Sequence, residues 1–150
     1  MKQEIDIKIY STQVLDNEKD EMELSAQGTL YHKDGKLYIS YKETEHTGYQ
    51  GCSTIVKVES SSRATITRYG AAPSQMVIAV GEEYPFAYNT GYGTMDMTVS
   101  GRKILLDEKD KSGQLVLSYT LGLGQGAESF NDIRLKWKAR RILNEQTEND

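Results

Sequence analysis

Arg68 is the residue in this sequence best placed to do chemistry on a ligand. In an extended segment it points the same way as Ala64 and Ile66, so it faces the interior wherever Ile66 does. A guanidinium turned inward needs an acceptor or an aromatic face, because burying an unpaired charge is very costly. Two roles fit. One is a hook for a ligand carboxylate or phosphate; the other is a structural arginine closing one end of the fold against carbonyls or Trp137. Downstream, Tyr84, Phe86, Tyr88, Tyr92 and Met95 supply aromatic and thioether groups that could line a ligand pocket. Those side chains would serve equally well as the filling of a small barrel.

Other chemistry is sparse, and no catalytic constellation is expected. His32 and His46 are the two histidines, and neither has a Cys or His neighbour at metal-ligand spacing. Cys52 is the single cysteine; a zinc site joining it to His46 and distant carboxylates would lack compact ligand spacing, and no activating base stands near it. Glu82 and Glu83 fall in a turn, where a solvated pair is the ordinary explanation. Gly91 and Gly93 are not followed by a helix that could supply a positive dipole end, so a phosphate cradle is not expected. No metal or cofactor is implied. Near the C-terminus Arg134, Lys136, Lys138 and Arg140 alternate with Leu135, Trp137 and Ala139, which lays a basic stripe along one strand face.

Composition bounds these readings. The 150 residues suit one domain, expected over residues 1–142, with a polar tail at 143–150 that lacks periodicity. Hydrophobic content is 37%, but ten tyrosines add apolar bodies that an aliphatic count undervalues. The net charge of -4 argues against a dedicated nucleic-acid binder, although a local basic patch is compatible with an acidic total. The opening MKQEIDIKIY alternates acid, base and Ile where a secretory signal needs a continuous apolar run, no stretch is long enough to span a membrane, and a lone cysteine suits a reducing compartment. A cytoplasmic protein without a membrane partner is expected.

The elements that must position Arg68 and the tyrosines are strands, because period-2 alternation runs from end to end. Ile5, Ile7 and Ile9 share the inner face of a first strand, and a polar loop is expected at residues 16–21. Leu24, Ala26, Gly28 and Leu30 lead to a turn at Lys33-Asp34-Gly35, after which Leu37, Ile39 and Tyr41 resume the pattern. Thr54, Val56 and Val58 pair with the segment 63–69 across a serine turn. Met76, Ile78 and Val80 alternate, then Tyr84, Phe86 and Tyr88, with Pro85 suited to an edge strand. Met95, Met97 and Val99 precede a bend at Gly101; Leu115 to Leu123 and Ile133 to Trp137 complete the set. The sum is an all-β fold of eight to ten strands. An antiparallel up-and-down barrel is expected over a sandwich, since short hairpins follow one another and closure removes exposed edges.

The segments Ile66-Thr67-Arg68-Tyr69-Gly70 and Tyr88-Asn89-Thr90-Gly91-Tyr92-Gly93-Thr94-Met95, with the alternating strand Leu115 to Leu123, resemble the YwiB-like family of uncharacterised bacterial proteins. The resemblance covers most of the chain, from about Ile5 to about Lys138, and implies a calycin-type, lipocalin-like β-barrel. A proline often precedes the second Tyr-Gly step in that family; Gly91 stands there in this chain. The resemblance carries no activity to transfer. The expectation is therefore a non-enzymatic barrel that binds a small ligand, with Arg68, Tyr84, Phe86, Tyr88, Tyr92 and Met95 as contacts. The alternative is a protein- or RNA-interaction module with a filled barrel and the basic last strand as its surface, unless acidic runs at 16–23 and 107–110 answer the stripe within the protein or across a homodimer.

Overall fold

The computed structural model describes residues 2–43, 49–89, 92–123 and 126–140. Its strands are β1 (Lys2–Leu15), β2 (Glu18–Lys33), β3 (Lys36–Lys42), β4 (Ser53–Ser60), β5 (Arg63–Tyr69), β6 (Ser74–Ala79), β7 (Glu83–Asn89), β8 (Thr94–Glu108), β9 (Ser112–Gly122) and β10 (Glu128–Ala139). They form a single antiparallel sheet in the order β6-β5-β4-β3-β2-β1-β10-β9-β8-β7. Each strand lies beside its sequence neighbours, and β1 pairs with β10, so the sheet curls into an up-and-down barrel of ten strands. The expected barrel architecture holds, and no sandwich is formed.

Turn chemistry fixes the hairpins. Asp34 and Gly35 both carry positive φ between β2 and β3, as a two-residue turn of the I′ class requires. Asp16 and Asn17 do the same between β1 and β2. The polar loop expected at 16–21 is therefore a two-residue turn, and Lys19 to Glu21 continue β2. Polar composition misleads there because this hairpin has solvent along much of its length. Val80 also departs from expectation: it is 37% exposed, while Met76 and Ile78 are buried. The strand ends at Ala79, and Val80 instead makes a parallel bridge to Gly101.

Alternation sends one face of each strand inward. Ile5, Ile7, Leu37, Ile39, Val58, Ala64, Ile78, Val99, Leu115, Leu117 and Trp137 are buried in one cluster, where each large aliphatic side chain contributes roughly 1.5–3 kcal/mol. Trp137 lies directly over Gly113, its register partner on β9; a Cβ there would overlap the indole ring.

Closure of the barrel is uneven. No ladder joins β6 to β7, although the two strands lie side by side. At one end of this seam the Gly81 amide donates to the Gly101 carbonyl (3.1 Å) and the Gly101 amide to Glu82 (3.2 Å). Gly101 permits the approach, since a Cβ at that position would run into the Ala79 backbone. The expected bend there takes the form of a register shift between Gly101 and Lys103. Pro85 sits on β7, which ends the sheet, so its missing N–H costs no ladder bond on the seam side.

Candidate functional site: the barrel mouth and the outer basic face

Arg68 extends from β5 to the other end of the seam. Its Nε donates to the Ala72 carbonyl (2.6 Å) and its Nη2 to the Asn89 carbonyl (2.9 Å), so one side chain joins the approach to β6 with the end of β7. The guanidinium also lies 3.5 Å from the ring centroid of Tyr49. Tyr49 in turn hydrogen-bonds the Tyr88 hydroxyl at 2.7 Å. That bond, followed by burial, raises the Tyr88 phenol above its ordinary pKa, against an opposing pull from Arg68. The inward direction expected from Ala64 and Ile66 and the need for acceptors are thus both met by carbonyls and a ring. Trp137 takes no part, since it packs over Gly113. Among the described residues no carboxylate lies within ion-pair distance of Arg68.

Beneath these groups the barrel holds a cavity of about 590 Å³. Its walls mix apolar side chains, among them Ile9, Leu24, Val56, Ile66, Phe86, Met97, Leu121 and Ile133, with Arg68, Glu43, Asp132, Asn131, Gln13, several tyrosines and the hydroxyls of Ser11, Thr12, Thr54 and Ser74. Glu43 accepts from the Thr54 hydroxyl and also raises the pKa of neighbouring Tyr41, whose larger upward push comes from burial. Tyr119 on β9 is raised by burial alone. Burial therefore keeps both phenols in their neutral form in the wall.

The expected contacts divide. Arg68, Phe86 and Tyr88 line the cavity together. Tyr84 lies elsewhere along the seam, where its hydroxyl accepts from Arg63 Nη1 (2.8 Å) and its ring faces that guanidinium. Tyr92 is fully exposed and Met95 is 50% exposed, and neither borders the cavity. The sequence passes Tyr49 and Glu43 without a local signal and gives Thr54 only a strand face shared with Val56 and Val58. Tyr49 follows the segment 44–48 and comes to Arg68 only through tertiary structure, so no local periodicity could have marked it. His46 and Gly91 lie outside the described residues, as does the tail at 143–150. Cys52 is buried. Among the described residues no group of three or more His, Cys, Asp or Glu converges as a metal site, and no helix is long and apolar enough to cross a membrane.

The basic residues form a second feature. Arg134, Lys136 and Lys138 are exposed on the outer face of β10, whereas Arg140 is half-buried and contacts Glu4 (3.6 Å) and Asp6 (3.9 Å). Register places Lys8 of β1 beside Lys136, and Asp6 beside Lys138. Further along the face, Gln27 of β2 is next to Asp6 and Lys42 of β3 is one strand beyond it. Lys8, Lys42, Lys136 and Lys138 border a depression of about 930 Å³ that also takes in Asp6, Ser25, Gln27 and Ser112. Tyr10, Tyr31 and Tyr38 project outward as well, because their strand neighbours Ile9, Leu30 and Leu37 are buried.

The chain is similar to the uncharacterized β-barrel protein YwiB of Bacillus subtilis (strain 168), with 26% identity over 140 residues, covering 92% of this chain and 96% of that protein. The crystal structure of the ywiB protein from Bacillus subtilis superposes with a TM-score of 0.81 at 21% identity, covering 93% of this chain and 94% of the other, and so shares the fold. The model of one family, described as a domain of unknown function, DUF1934, matches residues 7–135. With its barrel core and most of its length inside that match, the chain belongs to the DUF1934 family of β-barrel proteins.

Proposed function

We propose that this protein is a non-enzymatic binder of a small amphipathic ligand, whose apolar body enters the barrel and whose anionic head meets Arg68 at the mouth. The observation that carries the reading is the cavity itself. At about 590 Å³ it falls within the range typical of small-molecule sites. Aliphatic and aromatic walls interspersed with polar groups suit a ligand that is apolar along its body and polar at one end. Arg68 uses Nε and one Nη2 proton on carbonyls, which leaves Nη1 to meet an oxyanion. The Tyr49 ring faces the guanidinium, and Tyr88, which accepts from the Tyr49 hydroxyl, keeps its own O–H to donate.

Native mass spectrometry of protein purified from its own host tests the reading. A retained mass of a few hundred daltons is the expected result, and displacement by dodecanoate should follow. Ile66→Trp, which fills the cavity, should remove dodecanoate binding while the fold persists by circular dichroism. Absence of any retained mass together with no saturable dodecanoate binding would overturn it.

A further inference from the structure

We propose that the outer face of β10, β1, β2 and β3 is a binding site for the phosphate backbone of single-stranded RNA, separate from the interior cavity. Lys8, Lys42, Lys136 and Lys138 border one depression there, with a single carboxylate, Asp6, among its lining residues. Asp6 is faced by Arg140 at 3.9 Å, and Lys8 is answered by Glu23 at 3.7 Å. Lys42, Lys136 and Lys138 have no ion-pair partner among the described residues. Lys8, Lys136 and Lys138 on neighbouring strands leave an excess of positive charge on this face that attracts an external anion.

The arrangement suits a chain of phosphates. Lys136 and Lys138 are two residues apart on one strand, a repeat of about 6.8 Å, and Lys42 lies three strand spacings from Lys138, about 14 Å away. Lysine heads act as point charges that tolerate varied phosphate positions, whereas an acidic peptide is better held by bidentate arginines. Ser25, Gln27 and Ser112 supply uncharged groups able to bond sugar hydroxyls.

Aromatics complete the face. A second depression, of about 440 Å³, shares Gln27 and Lys42 with the first and includes Thr29 and Ser40. Two residues beyond that pair on β2 and β3, Tyr31 and Tyr38 stack at 4.8 Å, with Lys57 5.7 Å from the Tyr38 ring. Tyr10 lies 5.9 Å from Lys136 at the other end. A cationic track flanked by outward aromatic faces is the combination that binds single strands without reading sequence.

Fluorescence anisotropy with an end-labelled 12-nucleotide oligo(U), across a salt series, tests the site. Binding should weaken with salt at a log–log slope of about -2.8 if four lysines meet phosphates, and lose about 0.7 of that slope per lysine removed. Lys136→Glu with Lys138→Glu should weaken binding at least tenfold, and Lys136→Gln with Lys138→Gln serves if charge reversal impairs folding. Lys103→Gln, on the outer face of β8, should leave affinity unchanged. No binding at 50 mM salt, or binding insensitive to the groove variants, overturns the proposal. Capture of an oligo-glutamate peptide by the groove with no affinity for oligo(U) would overturn it in favour of a protein partner.

Discussion

The Arg68 guanidinium donates to the Asn89 carbonyl at 2.9 Å, so a side chain on β5 ties down β7 across the intervening β6. Where a backbone ladder is missing between β6 and β7, side chains take over its work. Arg63, from the other end of the same strand, holds Tyr84 of β7 in a comparable way. The two arginines make β5 a strap over the seam.

Arg68→Lys keeps the charge but loses the planar fork that reaches two carbonyls at once. We expect a stability loss of about 2 kcal/mol, near that of Arg68→Met, because charge-assisted hydrogen bonds go in both. Urea denaturation followed by circular dichroism measures it. Unchanged midpoints in both variants would remove Arg68 from the closure of the seam.

Gly101→Val should cost about 1–3 kcal/mol, since an added side chain collides with the Ala79 backbone at the other end of the seam. Hydrogen exchange should show faster opening of β6 and β7 than of β1 and β10, which pair along eleven residues from Ile5 to Leu15. Uniform protection across the sheet would contradict the uneven closure.

Trp137 is the chain's single tryptophan and reports on its own packing. Gly113→Ala places a methyl group where the indole ring lies, so the ring must move outward. A red-shifted emission maximum and a lower thermal midpoint are expected. Emission identical to the parent protein would show that the ring does not depend on that glycine.

Burial raises the phenol pKa of Tyr41 and Tyr119 above the usual value of about 10. In the unfolded chain both ionise near that value, so above it the unfolded state binds fewer protons than the fold. Their contribution to stability is therefore complete below about pH 10 and is lost as pH rises beyond it. A near-ultraviolet titration should show tyrosines that resist ionisation until the fold opens, and Tyr119→Phe should flatten the alkaline decline. Ionisation of all ten tyrosines at ordinary pH with the fold intact would contradict this.

Much of the barrel was legible in the chain because strands leave a two-residue signature. Ile5-Ile7-Ile9, Leu37-Ile39-Tyr41 and Leu115-Leu117-Tyr119 could face one core only as strands, and Asp34-Gly35 named its hairpin. Asp16-Asn17 was missed, since acidic residues on both sides resembled a loop. The direction of Arg68 was also legible, as parity with Ala64 and Ile66 fixes it.

Its partners were not. Asn89 meets Arg68 only because the sheet curls until β6 and β7 adjoin, and Tyr49 reaches it from the connection before β4; Ala72, four residues along the chain, is a local partner, but no local pattern encodes the other two. The same holds for the outer face. The sequence laid Arg134, Lys136 and Lys138 on one strand, but only the register of β10, β1, β2 and β3 set Lys8 and Lys42 beside them and determined which cations were left without a carboxylate. Strand periodicity is a property of neighbouring residues, whereas cavity, seam and charge balance depend on pairings between distant ones. The sequence by itself determined the strands and their faces; the closed sheet decided what those faces enclose and what they present.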